Sequence, residues 1–232
     1  MRFLDVRHHG VVPYAAALEL QRALVEERKA NRIPDTLLLL QHPHVLTVGV
    51  KSTAATPHIL ATPGELQALG VALFETGRGG DVTYHGPGQI VGYPILDLKP
   101  DRQDVHRYVR DLEEVMIRVC ADYGIGAGRV PGLSGTWAAS PGEIAADKIG
   151  AIGVRISKWV TSHGFSFNVN TNLDFYRLIL ACGIKDRGVT SLERLLGQPQ
   201  SLAAVEVHIV QRFCQVFDRA IAIEPGGPEL NP

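Results

Sequence analysis

The sequence predicts an α+β domain of mixed α/β character, a single unit in which helices flank a sheet. Three observations carry this expectation. Segments with strand character group in the middle of the chain, between Thr36 and Asn168. Helical periodicity occurs before, between and after them, at Val12–Arg32, Asp104–Tyr123 and Leu202–Ile221. Strict alternation of strand and helix is absent, which argues against a doubly wound nucleotide-binding fold.

Taken in order, Phe3–Arg7 reads as a short strand, followed by apolar residues at helical spacing (Ala16, Leu20, Ala23, Leu24). Thr36–Leu40 and Val45–Val48 read as strands around the turn Gln41-His42-Pro43-His44. Thr62-Pro63-Gly64-Glu65 starts a helix, with Thr62 as N-cap and Glu65 closing a capping box. Val71–Glu75, Val82–Tyr84 and Ile90–Leu98 are further strands. Asp104–Tyr123 is a long amphipathic helix whose apolar side carries Tyr108, Leu112, Val115, Met116, Val119 and Cys120. Gly135–Ala138, Asp147–Ile156 and His163–Asn168 are strands. Leu173–Ala181 is expected to be a short helix reaching Cys182, with Gly183 as its C-cap. Helices follow near Leu192–Leu196 and Leu202–Ile221. The domain is expected to span 1–222, with a loose tail rich in Pro and Gly over 223–232.

The chain has 232 residues, 45% apolar and 20% charged, which is enough to bury a core without staples. A formal net charge of −1 gives no global field for nucleic acid. The three cysteines, Cys120, Cys182 and Cys214, are widely spaced and form no C-x-x-C pair, so neither a disulfide framework nor a zinc site is expected. No long apolar run resembles a signal peptide or a membrane span, and a cytoplasmic protein is expected.

Three features point to chemistry. The stretch Arg78-Gly79-Gly80-Asp81-Val82-Thr83-Tyr84-His85-Gly86-Pro87-Gly88-Gln89 crowds polar side chains into a glycine-rich loop, strand and turn. Its bland reading is a pair of tight turns. It is not a phosphate loop, because no Gly-Lys-Ser/Thr follows. Lys148 opens the apolar, glycine-punctuated segment Ile149-Gly150-Ala151-Ile152-Gly153. A lysine there is either a solvated charge or a partly desolvated base. Cys182 sits beside Gly183, whereas Cys120 and Cys214 lie on apolar helix faces and read as inert. At a helix C-terminus the dipole disfavours a thiolate, so a nucleophilic Cys182 needs a cation or base from elsewhere, with Lys148, His85 and His163 as candidates. The residues by themselves allow a thiol-dependent enzyme or a buried, inert thiol. Neither a metal pattern among the histidines nor a G-x-S-x-G elbow is present.

Taken together these blocks resemble the lipoyl(octanoyl) transferase family. The resemblance rests on Arg78–Gln89 followed by Gly92-Tyr93-Pro94-Ile95-Leu96-Asp97-Leu98, on Lys148–Val154 followed by His163–Val169, and on Ala181-Cys182-Gly183 followed by Val189-Thr190-Ser191-Leu192. The blocks run in the family's order from about Thr36 to about Leu196. His44 departs from it, since a second proline is more usual there. The resemblance implies the fold of the catalytic domains of lipoate and biotin protein ligases. It implies that Cys182 carries an acyl thioester, that Lys148 activates it, and that Arg78, Gly79, Gly80, Asp81, Val82, Thr83, Tyr84, His85, Ala151, Ile152, Gly153, Gly164, Phe165 and Ser166 line the substrate site. It further implies transfer of octanoyl or lipoyl from octanoyl-acyl-carrier protein to a lysine of lipoyl domains, in 2-oxoacid dehydrogenases and the glycine cleavage H protein. No cofactor, metal, nucleic acid or membrane is called for, and a monomer is expected. The alternatives are an ATP-dependent lipoate or biotin ligase of the same fold, and a catalytically silent binding protein. An acidic carrier would be met by local cations, with Arg78, Arg155, Lys158 and Lys185 as candidates.

Overall fold

The computed structural model describes residues 2–52, 58–139, 146–180 and 187–222. Along the chain run β1 (Arg2–Val11), α1 (Tyr14–Lys29), β2 (Asp35–Gln41), β3 (Val45–Val48), α2 (Pro63–Ala68), β4 (Ala72–Glu75), β5 (Val82–His85) and β6 (Gln89–Ile95). Then come α3 (Val105–Asp122), β7 (Ala127–Val130), β8 (Leu133–Ala138), β9 (Asp147–Ser157), β10 (Val160–Asn168), a 3-10 helix (Leu173–Leu178), α4 (Leu192–Leu196), α5 (Leu202–Phe217) and β11 (Arg219–Ile221). Eight strands form one mixed sheet in the order β11-β1-β2-β6-β10-β9-β8-β7. A second sheet of three has the order β4-β3-β5.

The apolar run of β2 shows why helices cover both faces of the large sheet. Leu37 and Leu39 point into the core under α3 and α5, with Leu112, Met116, Phe213 and Phe217. Leu38 and Leu40 point the other way, into the core under α1, with Ala17, Leu24 and Val25. A strand buried on both faces needs apolar residues at every position rather than at alternate ones. The small sheet has its own core around Leu46, Val82 and Tyr84. The capping box forms as expected: Glu65 N–H donates to Thr62 Oγ1, and Thr62 N–H donates to the Glu65 carboxylate.

Three expected helices change. The first starts at Tyr14, because β1 continues to Val11 and Pro13 stands at the helix boundary. The last ends at Phe217, where Asp218 turns left-handed (φ 54°). The chain then enters β11, parallel to β1 with Arg219 beside Arg2. Buried Arg219 Nε–H donates to Asp35 at 2.8 Å, which anchors that turn in the core. The helix expected over Leu173–Ala181 is a 3-10 turn that stops at Leu178, and Ile179 is extended and bridges to Ile59. Cys182, Gly183 and Lys185 lie outside the described residues, as does the tail 223–232.

Candidate active site

The glycine-rich segment is built around a buried guanidinium. Arg78 donates from Nη2 to the Thr47 carbonyl (2.6 Å) and Thr47 Oγ1 (2.8 Å), and from Nη1 to the Gly79 carbonyl (3.1 Å). It thereby fastens the loop to β3. Gly79 N–H donates to the Val154 carbonyl at 2.8 Å, which pins the loop across β9. Gly80 takes φ +88°, a conformation that glycine adopts without strain. Arg78 is only 6% exposed and cannot serve as a surface contact for a carrier, so that part of the expected basic patch is withdrawn. Lys158 is withdrawn as well, since it sits at the β9–β10 hairpin tip, the opposite end of β9 from Lys148.

Beneath this loop lies a pocket of about 580 Å³, counting its open mouth. Of the expected site residues it is lined by Arg78, Gly80, Asp81, Val82, Thr83, His85, Ala151, Ile152, Gly153, Gly164, Phe165, Ser166 and Lys148. Gly79 and Tyr84 do not line it; Tyr84 is buried in the core of the small sheet. Tyr14, Val91, Tyr93, Ser134 and His163 line it in addition. The sequence hid Val91 and Tyr93 because β6 is buried throughout and shows no alternation that would mark a pocket face.

Lys148 is 9% exposed and lies over the Trp137 ring at 4.7 Å, its neighbour in the β8–β9 register. The main chain of Lys148 holds the segment that follows Cys182. Lys148 N–H donates to the Gly188 carbonyl, and Thr190 N–H donates to the Lys148 carbonyl, both at 3.0 Å. On the other side of Cys182, Leu180 N–H donates to the His58 carbonyl at 2.7 Å, and the His58 ring pairs with Asp81. Both flanks of 181–186 are thus tied to walls of the pocket.

Another part of the pocket wall is a cluster of neutral rings, with His42 packed against it. Burial pushes His42 and His163 down to about 4, with the Arg78 charge adding to the effect at His163. Burial and the neighbouring His42 push His85 down to about 3. Tyr93 is held well above its ordinary value by burial. His42, expected in a turn, is in fact buried and hydrogen-bonded to the Tyr93 hydroxyl (2.8 Å) and the Val12 carbonyl (2.7 Å). Cys120 is buried in the α3 core, where desolvation lifts its thiol to about 12, and burial raises Cys214 too. Neither suits nucleophilic chemistry. Among the described residues no cluster of His, Cys, Asp and Glu could hold a metal, and no helix is long and apolar enough to cross a membrane.

Residues 13–214 match the lipoyl protein ligase A/B catalytic domain. The chain belongs to this family. Within it, relatives of high similarity are octanoyltransferases, and the chain is an acyltransferase of that branch. The octanoyltransferase of Rubrobacter xylanophilus is 51% identical over 92% of this chain and 94% of its own length. That of Chloroflexus aggregans is 49% identical over 94% and 96%. That of Myxococcus xanthus is 49% identical over 94% of this chain, which spans only 60% of the longer relative. Among solved structures, the bipartite lipoate protein ligase system of Thermoplasma acidophilum superposes with a TM-score of 0.70 at 14% identity, covering 97% of this chain and 89% of that one. Biotin protein ligase from Aquifex aeolicus, solved with biotin and ATP, gives 0.55 at 14% identity, covering 94% and 71%. At such identities these two show a shared fold.

Proposed function

We propose that this acyltransferase moves an octanoyl group from octanoyl-acyl-carrier protein to the ε-amine of a lysine on lipoyl domains, through a thioester on Cys182. The acceptors are the lipoyl domains of 2-oxoacid dehydrogenases and the glycine cleavage H protein, and the setting is the cytoplasm. The observation that carries this reading is the double tie of segment 181–186. One flank is bonded to Lys148 itself and the other, through His58, to Asp81 of the glycine loop. Cys182 is two residues beyond Leu180, within about 7 Å of it along the chain.

The chemistry follows in two balanced steps. Lys148 takes the Cys182 proton, and the thiolate attacks the thioester carbon. The bond to the carrier sulfur breaks, and the carrier leaves as a thiol with the proton returned by Lys148. The acceptor lysine nitrogen then bonds to the acyl carbon, the bond from that carbon to Cys182 Sγ breaks, and the amine proton passes to the sulfur. Exchange between thioesters is near balance and amide formation is downhill, so no nucleotide is consumed. The apolar walls at Ile152, Phe165 and Val91 receive the alkyl chain. Each buried methylene contributes about 0.8 kcal/mol, which makes the pocket a length gauge.

The test is intact-protein mass spectrometry after incubation with octanoyl-acyl-carrier protein, with peptide mapping of the adduct. An octanoyl adduct on Cys182 that chases onto a lipoyl domain without ATP is expected. Transfer that requires ATP and free octanoate, with release of pyrophosphate, supports the ligase alternative instead. Binding of either partner without turnover supports the silent one.

A further inference from the structure

A chain of buried amides runs behind the pocket, and each link determines the next. The Thr190 main-chain carbonyl can only accept, so the group 3.0 Å from it on Asn168 is the amide nitrogen. This turns Asn168 Oδ1 toward Gln89, whose Nε2 lies 2.9 Å away. The same Gln89 nitrogen faces the Tyr84 carbonyl (3.2 Å) and the Tyr176 hydroxyl (3.1 Å), so three oxygens surround it and the amide cannot be reversed. Gln89 Oε1 therefore points at His85 Nδ1, 2.7 Å away. An amide oxygen accepts and never donates, so the ring proton must reside on Nδ1. Gln89 and Asn168 are 0% and 3% exposed, which makes an unmade bond in this chain costly. His85 lines the pocket, and among the described residues no group bonds its Nε2.

We propose that Gln89, oriented by Asn168, is a positioning residue that fixes His85 in the Nδ1–H tautomer and presents a bare Nε2 lone pair to the acyl site. A lone pair there accepts a hydrogen bond and cannot donate one. His85 thus does not stabilise an oxyanion. It recognises a ligand group that carries hydrogen, and in the reaction proposed above that group is the incoming ε-amine, one N–H of which is held while the nitrogen lone pair faces the acyl carbon. The groups around the ring preserve the neutral form: Tyr14 stacks on it, His42 meets it edge-on, and Arg78 and His163 disfavour a proton. The same chain ends at Thr190, whose N–H donates to Lys148, so the acceptor at His85 and the main chain at Lys148 belong to one hydrogen-bonded framework.

The role of the amine rests on the proposed function, whereas the tautomer does not, and the experiment separates them. Long-range proton–nitrogen correlation on histidine-labelled protein at neutral pH should show His85 with a protonated Nδ1 and an unprotonated Nε2. A protonated Nε2, or a mixture, overturns the proposal. Gln89→Met removes the acceptor at similar volume and should release the tautomer. It should lower the rate of acyl transfer from preformed acyl-enzyme to a lipoyl domain at least tenfold, while formation of the acyl-enzyme changes less than threefold. A folded Gln89→Met protein that keeps both the Nδ1–H signal and full transfer overturns the assignment. If that variant does not fold, the wild-type spectrum decides. Should the spectrum agree while transfer is unaffected by Gln89→Met, the tautomer stands and the amine role falls.

Discussion

The two ends of the acyl pocket are built by different physics. The mouth holds charge: Lys148 lies over Trp137, and Arg187 lies over the same ring at 5.8 Å. Main-chain bonds there clasp both sides of the Cys182 segment. The other end keeps His42, His85 and His163 neutral by burial around the Arg78 guanidinium, and Tyr14, Tyr93 and Phe165 complete the wall. On the proposed reading the Lys148 end governs acylation and carrier contact, the neutral rings govern chain length and stability, and His85 alone among those rings also meets the incoming amine. Apart from His85 and its support, substitutions at one end should therefore leave the other end's property in place.

The largest effect is expected at the mouth. Cys182→Ala should abolish transfer. Lys148→Ala should lose at least about 10²-fold, the usual worth of a positioned base. Its residual acylation should rise toward the ordinary thiol pKa, about 8.5. Both are read by adduct mass spectrometry, and an adduct on Cys120 or Cys214 would refute the mechanism.

Next is the acid stability of the neutral end. His42 titrates at about 4 folded and near 6.5 unfolded, so between these values the unfolded chain binds more protons. Its contribution is fully present above pH 6.5 and is lost as pH falls toward 4, with an upper value on the order of 3 kcal/mol. Urea titrations across this range should show the loss, and His42→Gln should flatten the slope by about one proton. An unchanged slope would mean that His42 is not buried neutral.

A smaller effect concerns chain length. A Cβ at Gly92 would collide with the Phe165 ring, so Gly92→Ala must displace that ring. Two methylenes excluded from the pocket are worth about 1.6 kcal/mol, or roughly tenfold in kcat/KM for octanoyl against hexanoyl carrier. An unshifted preference would place the gauge elsewhere.

The smallest effect is carrier recognition. Arg187 is exposed beside Lys148, and it replaces buried Arg78 and distant Lys158 as the cation to test. Arg187→Ala should raise KM for the carrier several-fold at low salt with kcat little changed, and the difference should shrink as salt screens the contact. A KM difference that persists at high salt would remove the electrostatic explanation.

Much of the fold was legible in the residues. The capping box at Thr62 and Glu65 and the apolar face of α3 are local signals, and both elements form where expected. What escaped is what depends on distant partners. The three residues of β11 have no pattern of their own and become a strand by pairing with β1. The 3-10 turn after Leu173 ends early because Ile179 is drawn into a bridge with Ile59. At the site, ordered blocks pointed to the glycine loop and to Lys148, whereas Tyr14, Val91 and Tyr93 line the pocket without any motif. The clasp of Gly188 and Thr190 to Lys148 uses main-chain atoms, which no residue type reports.

The pairing of β1 with β11 places Arg2 and Arg219 side by side at one edge of the large sheet, while Lys148 lies four strands away on β9. At strand spacings of about 4.8 Å, that is close to 20 Å of intervening sheet. The described chain enters β1 at Arg2 and leaves β11 at Ile221, both at that edge. The architecture thus holds its first and last described strands apart from Lys148, and a label or tether fixed to that edge should leave acyl transfer intact.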